Sequence, residues 1–169
     1  DAFEKAAGIY NEYNKGLINF AAKTGAIPKD IAADLLKNND YVPFYRPRED
    51  GSVFLEIGGA PAIKIGNLVD QPYLHELVGG DKPIFDVFTS AMQNTAMLTD
   101  MALRNLATRN TAFALGEMGL LKKGENEKGI GIHKGDGPKG ASIIHFKVDG
   151  ENHWANVNTD AAGVSAELL

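Results

Sequence analysis

The 169-residue sequence contains no cysteine. That excludes a disulfide framework and every thiolate metal site, so packing and hydrogen bonding must hold the chain together. No stretch approaches the roughly 18 apolar residues of a membrane-spanning helix, and the first residues lack the basic, apolar and small-residue order of a signal peptide. Positive charge is also scarce. Lys plus Arg total 17 against 22 for Asp plus Glu, a formal net charge of -5, which disfavours a dedicated nucleic-acid binder unless charge is strongly segregated. Catalytic signatures are equally thin: there is no Gly-x-Ser-x-Gly elbow, no Gly-Lys-Ser/Thr and no His-Glu-x-x-His. Ser52, Ser90, Ser142 and Ser165 stand in no local pattern, and the carboxylate pairs of an acidic chain mostly sit on solvated faces.

What the sequence does contain is helical periodicity. Phe3, Ala6, Tyr10, Tyr13, Leu17 and Phe20 recur at spacings of three and four, which predicts a first helix from Asp1 to about Lys23, stopped by Gly25. Pro28 then opens a shorter helix, Pro28 to Asn38, with Asp30 near its positive end. The short connection makes the two an antiparallel hairpin. The strongest pattern lies further on. From Asp81 to Gly119, Ile84, Phe88, Ala91, Ala102, Leu106 and Phe113 fall in a narrow sector, widened by Phe85, Met92, Ala96 and Leu103. Asp86, Gln93, Asp100, Arg104 and Thr111 lie opposite. Asp81 and Pro83 suit the first turn, Gly116 and Gly119 the stop, and the rod would be on the order of 50 Å long. Its apolar half should be buried against two neighbours.

Between these helices, Tyr41-Val42-Pro43-Phe44-Tyr45-Arg46-Pro47-Arg48 reads as an ordered loop, since two prolines push the residues before them towards extended geometry. Val53, Leu55 and Ile57 alternate as in a short strand over Ser52 to Ile57, and a short helix over Gln71 to Val78 is compatible with the pattern. Lys122 to Gly140, with six glycines, reads as a flexible connection. Ser142 to Val148 and Glu151 to Val157 form a hairpin about Asp149-Gly150, with Ile144, Phe146, Val148, Ala155 and Val157 on one face. A last helix is expected from Asp160. The fold class is α+β, mainly α: a helical hairpin and one long central helix with one or two small antiparallel β-hairpins, in a single domain. The start at Asp1 inside a helical pattern and the apolar end Ala166 to Leu169 lead us to expect a piece of a larger protein, with processing of the first residue as the alternative.

Each candidate for chemistry has a plain structural counterpart. The glycines of Gly129 to Gly140 could expose backbone N–H groups to an anion, yet a helix precedes them and a strand follows, the reverse of a phosphate-binding loop. His133, His145 and His153, with Asp136 and Asp149, could meet as metal ligands, but strand parity sends His145 and His153 to opposite faces. No metal or cofactor is expected. Arg109 and Asn110, with Thr99, fall within or beside the apolar arc, either as an internal clamp to a loop or as a pair presented to a partner. Arg46 and Arg48 admit the same two readings, with docking of their aromatic loop onto the core as the plainer one.

The order of elements resembles a domain of the large polyvalent proteins of bacteriophages and other mobile elements. The resemblance rests on the helical hairpin followed by Tyr41 to Arg46, on Gly79-Gly80-Asp81-Lys82-Pro83-Ile84 opening a long Asn-, Ala- and Arg-rich helix, and on Val148-Asp149-Gly150 with Asn158-Thr159-Asp160 at the closing hairpin. It spans about Ala6 to Leu168. It implies a non-catalytic structural or interaction role inside a long multi-domain protein delivered with the genome, with other domains of the parent or virion proteins as partners. It transfers no active site. The long Gly-rich connection and the missing downstream helices depart from the family pattern. The competing reading is an enzyme or enzyme accessory that closes Gly129 to Gly140 over an anionic ligand. Nucleic-acid contact is a third and is not favoured by the charge.

Overall fold

The computed structural model describes residues 1–37, 85–123 and 129–159. Three helices, α1 (Ala2–Lys23), α2 (Lys29–Lys37) and α3 (Val87–Glu117), precede three strands, β1 (Ile132–Lys134), β2 (Ile143–Val148) and β3 (Glu151–Asn156). The architecture is α+β and mainly helical, with one small antiparallel sheet in the order β1-β3-β2.

Helix α1 starts with a capping box. The Asp1 carboxylate accepts from Phe3 N, and Glu4 reaches back to the cap. It ends in a Schellman motif, Ala26 N to Ala21 O (3.1 Å) and Gly25 N to Ala22 O (2.9 Å), with Gly25 at φ 77°. The same device ends α3, where Leu120 N bonds Leu115 O and Gly119, at φ 73°, bonds Gly116 O. Both glycine stops fall where the sequence places them. The start of α3 does not: its N-cap is Asp86, whose carboxylate accepts from Thr89 N at 2.9 Å, and not Asp81, which lies outside the described residues. Over 31 residues the rod measures about 46 Å.

Tyr13 Oη bonds Thr95 Oγ1 near the start of α3, and Thr24 O bonds Asn105 and Arg109 further along, so α1 and α3 run side by side in the same direction. Helix α2 turns back. Leu17, Ile18, Ala21, Ile27, Ala32, Leu98 and Ala102 form one apolar core among the three helices. A second core lies between the C-terminal half of α3 and the sheet: Ala112, Leu121, Phe146, Ala155 and Val157. Phe113 meets Phe146 edge to face at 6.2 Å.

The hairpin has the expected register, with Ile144 opposite Ala155 and Phe146 opposite His153. Its two-residue turn is Asp149 (φ 52°) and Gly150 (φ 77°), both left-handed, as the right-handed twist of paired strands favours. Strand β1 was not expected. The segment 122–140, read as a flexible connection, carries Ile132 to Lys134 paired antiparallel to β3. The strand at Ser52 to Ile57, the helix at Gln71 to Val78 and the helix from Asp160 lie outside the described residues.

The largest departure is the inward face of α3. Its buried residues are Ser90, Gln93, Asn94, Leu98, Ala102, Asn105, Ala112 and Gly116, half of them polar. Phe88 is 73% exposed and Leu103 51%, although the apolar arc had assigned both to the core, and Gln93, assigned to the polar side, is buried. Small and polar side chains let α3 approach backbone carbonyls that larger apolar ones would leave unpaired.

Candidate functional site

Three elements meet at Asn105, which is completely buried. Its Nδ2 donates to Thr24 O (2.9 Å) and to Lys147 O (3.0 Å), and its Oδ1 accepts from Lys147 N (2.6 Å). One amide thus joins the C-cap of α1 to the middle of β2 at the boundary between the two apolar cores. One turn on, Arg109 Nη1 donates to the same Thr24 O at 2.8 Å. The hairpin tip closes the junction. Gly150 N donates to Gly25 O (2.9 Å), and the Asp149 carboxylate accepts from Lys29 N (3.1 Å) in the first turn of α2. Gly150 lies so close to Pro28 that an added Cβ would collide with the ring.

The sequence paired Arg109 with Asn110, and the structure separates them. Arg109 turns inward as the clamp to the loop after α1. Asn110 is exposed. The inward partner of Arg109 is Asn105, which sequence reading missed. The available signal was spacing: Asn94, Asn105 and Arg109 lie eleven and four residues apart, on one side of a helix. Arg46 and Arg48 lie outside the described residues.

The far side of the sheet holds a second group. His133, Trp154 and His145 lie in one row across β1, β3 and β2. His133 stacks on Trp154 at 4.2 Å, His145 Nε2 donates to Pro138 O at 3.1 Å, and Gly137 lies flat against the indole. Next along the strands, Asn152 Nδ2 donates to Asp136 Oδ1 at 2.6 Å, beside Lys147 in the register. Burial lowers the Lys147 ammonium from its ordinary 10.5, and the Asp136 carboxylate draws it part of the way back. His153 faces the helices and stacks on Phe146 at 5.9 Å, so His145 and His153 are on opposite faces, as strand parity requires. Among the described residues no three His, Asp or Glu side chains gather as a metal site. The Gly135 N–H, a candidate anion donor, is taken by Asn152 O at 2.8 Å.

The remaining feature is the outward side of α3 in its C-terminal half. Leu103, Arg104, Ala107, Asn110, Thr111, Ala114, Glu117 and Met118 are all exposed and share one face. Leu103 is 51% and Met118 69% exposed. Arg104 is tied to Asp100 one turn back, Nε to Oδ2 at 2.8 Å. No helix of the described residues is long and apolar enough to cross a membrane. Comparison of the chain with protein-family models, curated proteins and solved structures finds no match.

Proposed function

We propose that this chain is a non-catalytic structural or interaction domain, of the kind carried in the large polyvalent proteins of phages and mobile elements, and that it works by presenting α3 to a protein partner. The observation that carries this reading is the division of α3. Asn105 and Arg109 spend their hydrogen bonds on the backbone of the chain itself. Leu103, Ala107, Ala114 and Met118 face outward instead, among Arg104, Asn110, Thr111 and Glu117. Both protons of the Asn105 amide go to main-chain carbonyls, its oxygen accepts from Lys147 N, and its complete burial keeps it from a substrate. Other domains of a parent protein, or virion proteins, are the partners in this reading.

A thermal-shift screen with nucleotides, phosphosugars and divalent metal ions tests it, because a ligand that binds the folded state raises its melting temperature. Unchanged melting throughout is the expected result. A concentration-dependent rise with any anionic ligand would replace this reading with the one that closes Gly129 to Gly140 over that ligand.

A further inference from the structure

The outward face of α3 is complementary to its own reverse. If a second copy of the helix is laid against it antiparallel, with a two-fold axis between Asn110 and Thr111, Leu103 falls opposite Met118 and Arg104 opposite Glu117. Ala107 falls opposite Ala114, and Asn110 opposite Thr111. A two-fold axis generates every contact twice, so a self-complementary patch is what an isologous interface needs. We propose that the face from Leu103 to Met118 is a self-association seam, occupied by the same face of a second copy of this chain.

Each level of the seam fits that occupant. Ala107 and Ala114 are seven residues apart, two turns of helix, and their small side chains allow the two axes to come close. Leu103 and Met118, both more than half exposed, close the two ends with apolar contact. The charges are complementary rather than repulsive: Arg104 meets Glu117 at both flanks. With Nε held by Asp100, the guanidinium keeps its Nη donors for the second carboxylate. Asn110 and Thr111 at the centre can hydrogen-bond across the axis, which fixes register, as a single polar pair does in coiled coils. A parallel arrangement would stack Glu117 on Glu117 and Arg104 on Arg104. The seam is about 22 Å long, a small interface whose dimer dissociates on dilution.

This inference names the partner within the interaction reading above and rests on it. The test is sedimentation of the full chain over a concentration series. The native chain should show a monomer–dimer equilibrium. Glu117→Arg should weaken it about tenfold by turning both flanking pairs repulsive, and the combined Arg104→Glu and Glu117→Arg exchange should restore it. Ala114→Glu, on an exposed helical position, should weaken it about a hundredfold by burying an unpaired charge at the closest approach. Orientation is read in the cysteine-free background. A mixture of Ala107→Cys and Ala114→Cys chains should crosslink on oxidation, and either variant alone should not. Crosslinking of Ala107→Cys with itself, or a native chain that stays monomeric at the highest concentration reached, overturns the seam. A dimer indifferent to Glu117→Arg and Ala114→Glu also defeats it while leaving an assembly role standing. A ligand found in the thermal-shift screen would instead defeat the interaction reading and leave the sedimentation result to stand by itself.

Discussion

The two sides of α3 blur the usual order of polarity in a helix. Towards the rest of the molecule it buries Ser90, Gln93, Asn94 and Asn105, while it shows solvent Phe88, Leu103 and Met118. Hydropathy alone would place Phe88 and Leu103 inside and Gln93 outside. What holds it as it is are main-chain groups that need partners: Thr24 O at the end of α1, and both Lys147 N and Lys147 O in β2. An unpaired buried carbonyl or N–H costs about 1–3 kcal/mol, comparable to the gain from burying one large apolar side chain. Three such groups satisfied by one amide outweigh the exposure of a leucine or two.

The comparison breaks most directly at its centre. Asn105→Leu keeps the volume roughly constant, removes three hydrogen bonds, leaves Thr24 O to Arg109 alone and takes the Asn105 amide from Lys147 N and Lys147 O. It should destabilise the chain by about 3–5 kcal/mol, read as a lower denaturation midpoint in urea. A Leu at this position that stabilises the protein would show that the inward face wants apolar packing after all. Gly116 sharpens the point next. An added Cβ would meet Ile130 Cβ and O at 2.9 Å each, so Gly116→Ala should cost about 1–3 kcal/mol by calorimetry. The gain in helix propensity works against that loss by about 1 kcal/mol.

A smaller effect is expected at the start of the helix. Hydrogen bonds from the Thr89 side chain and backbone hold the Asp86 carboxyl below its ordinary 3.8. With the folded value depressed, the cap's contribution is complete above 3.8 and is lost as pH falls through the lower folded value. Asp86→Asn keeps an acceptor but removes the titration. The acid limb of a melting-temperature profile should therefore flatten in that variant, and an unchanged limb would assign the acid sensitivity elsewhere. The smallest effect belongs to the outward side. Phe88→Ala should change stability by under about 0.5 kcal/mol, since Phe88 is 73% exposed. A loss of several kcal/mol, as the apolar arc in the sequence implies, would restore Phe88 to the core.

Local signals made much of this fold legible. Gly25 and Gly119 mark their helix ends because a left-handed C′ residue is a requirement of the cap itself. Asp149-Gly150 fixes the hairpin because a two-residue turn and strand parity determine which side chains share a face. The junction was not legible for the opposite reason. Asn105 bonds groups 81 and 42 residues away, and a hydropathy pattern records neither backbone partners nor the small residues that let them approach. Strand β1 escaped because three residues among glycines are too few to show alternation. Arg109 and Asn110 were paired because both fall within or beside a wide apolar arc, yet one position turns a side chain by about 100°, enough to separate a clamp from a surface.

The contact of Pro28 with Gly150, and the capping of α2 by Asp149, set a constraint on how the molecule is made. During synthesis the first two helices emerge more than a hundred residues before the ribbon that secures the bend between them. That bend lacks its contacts with the ribbon until nearly the whole described chain has been translated, and such distant closures are slow to form. The last loop to arrive completes the first corner.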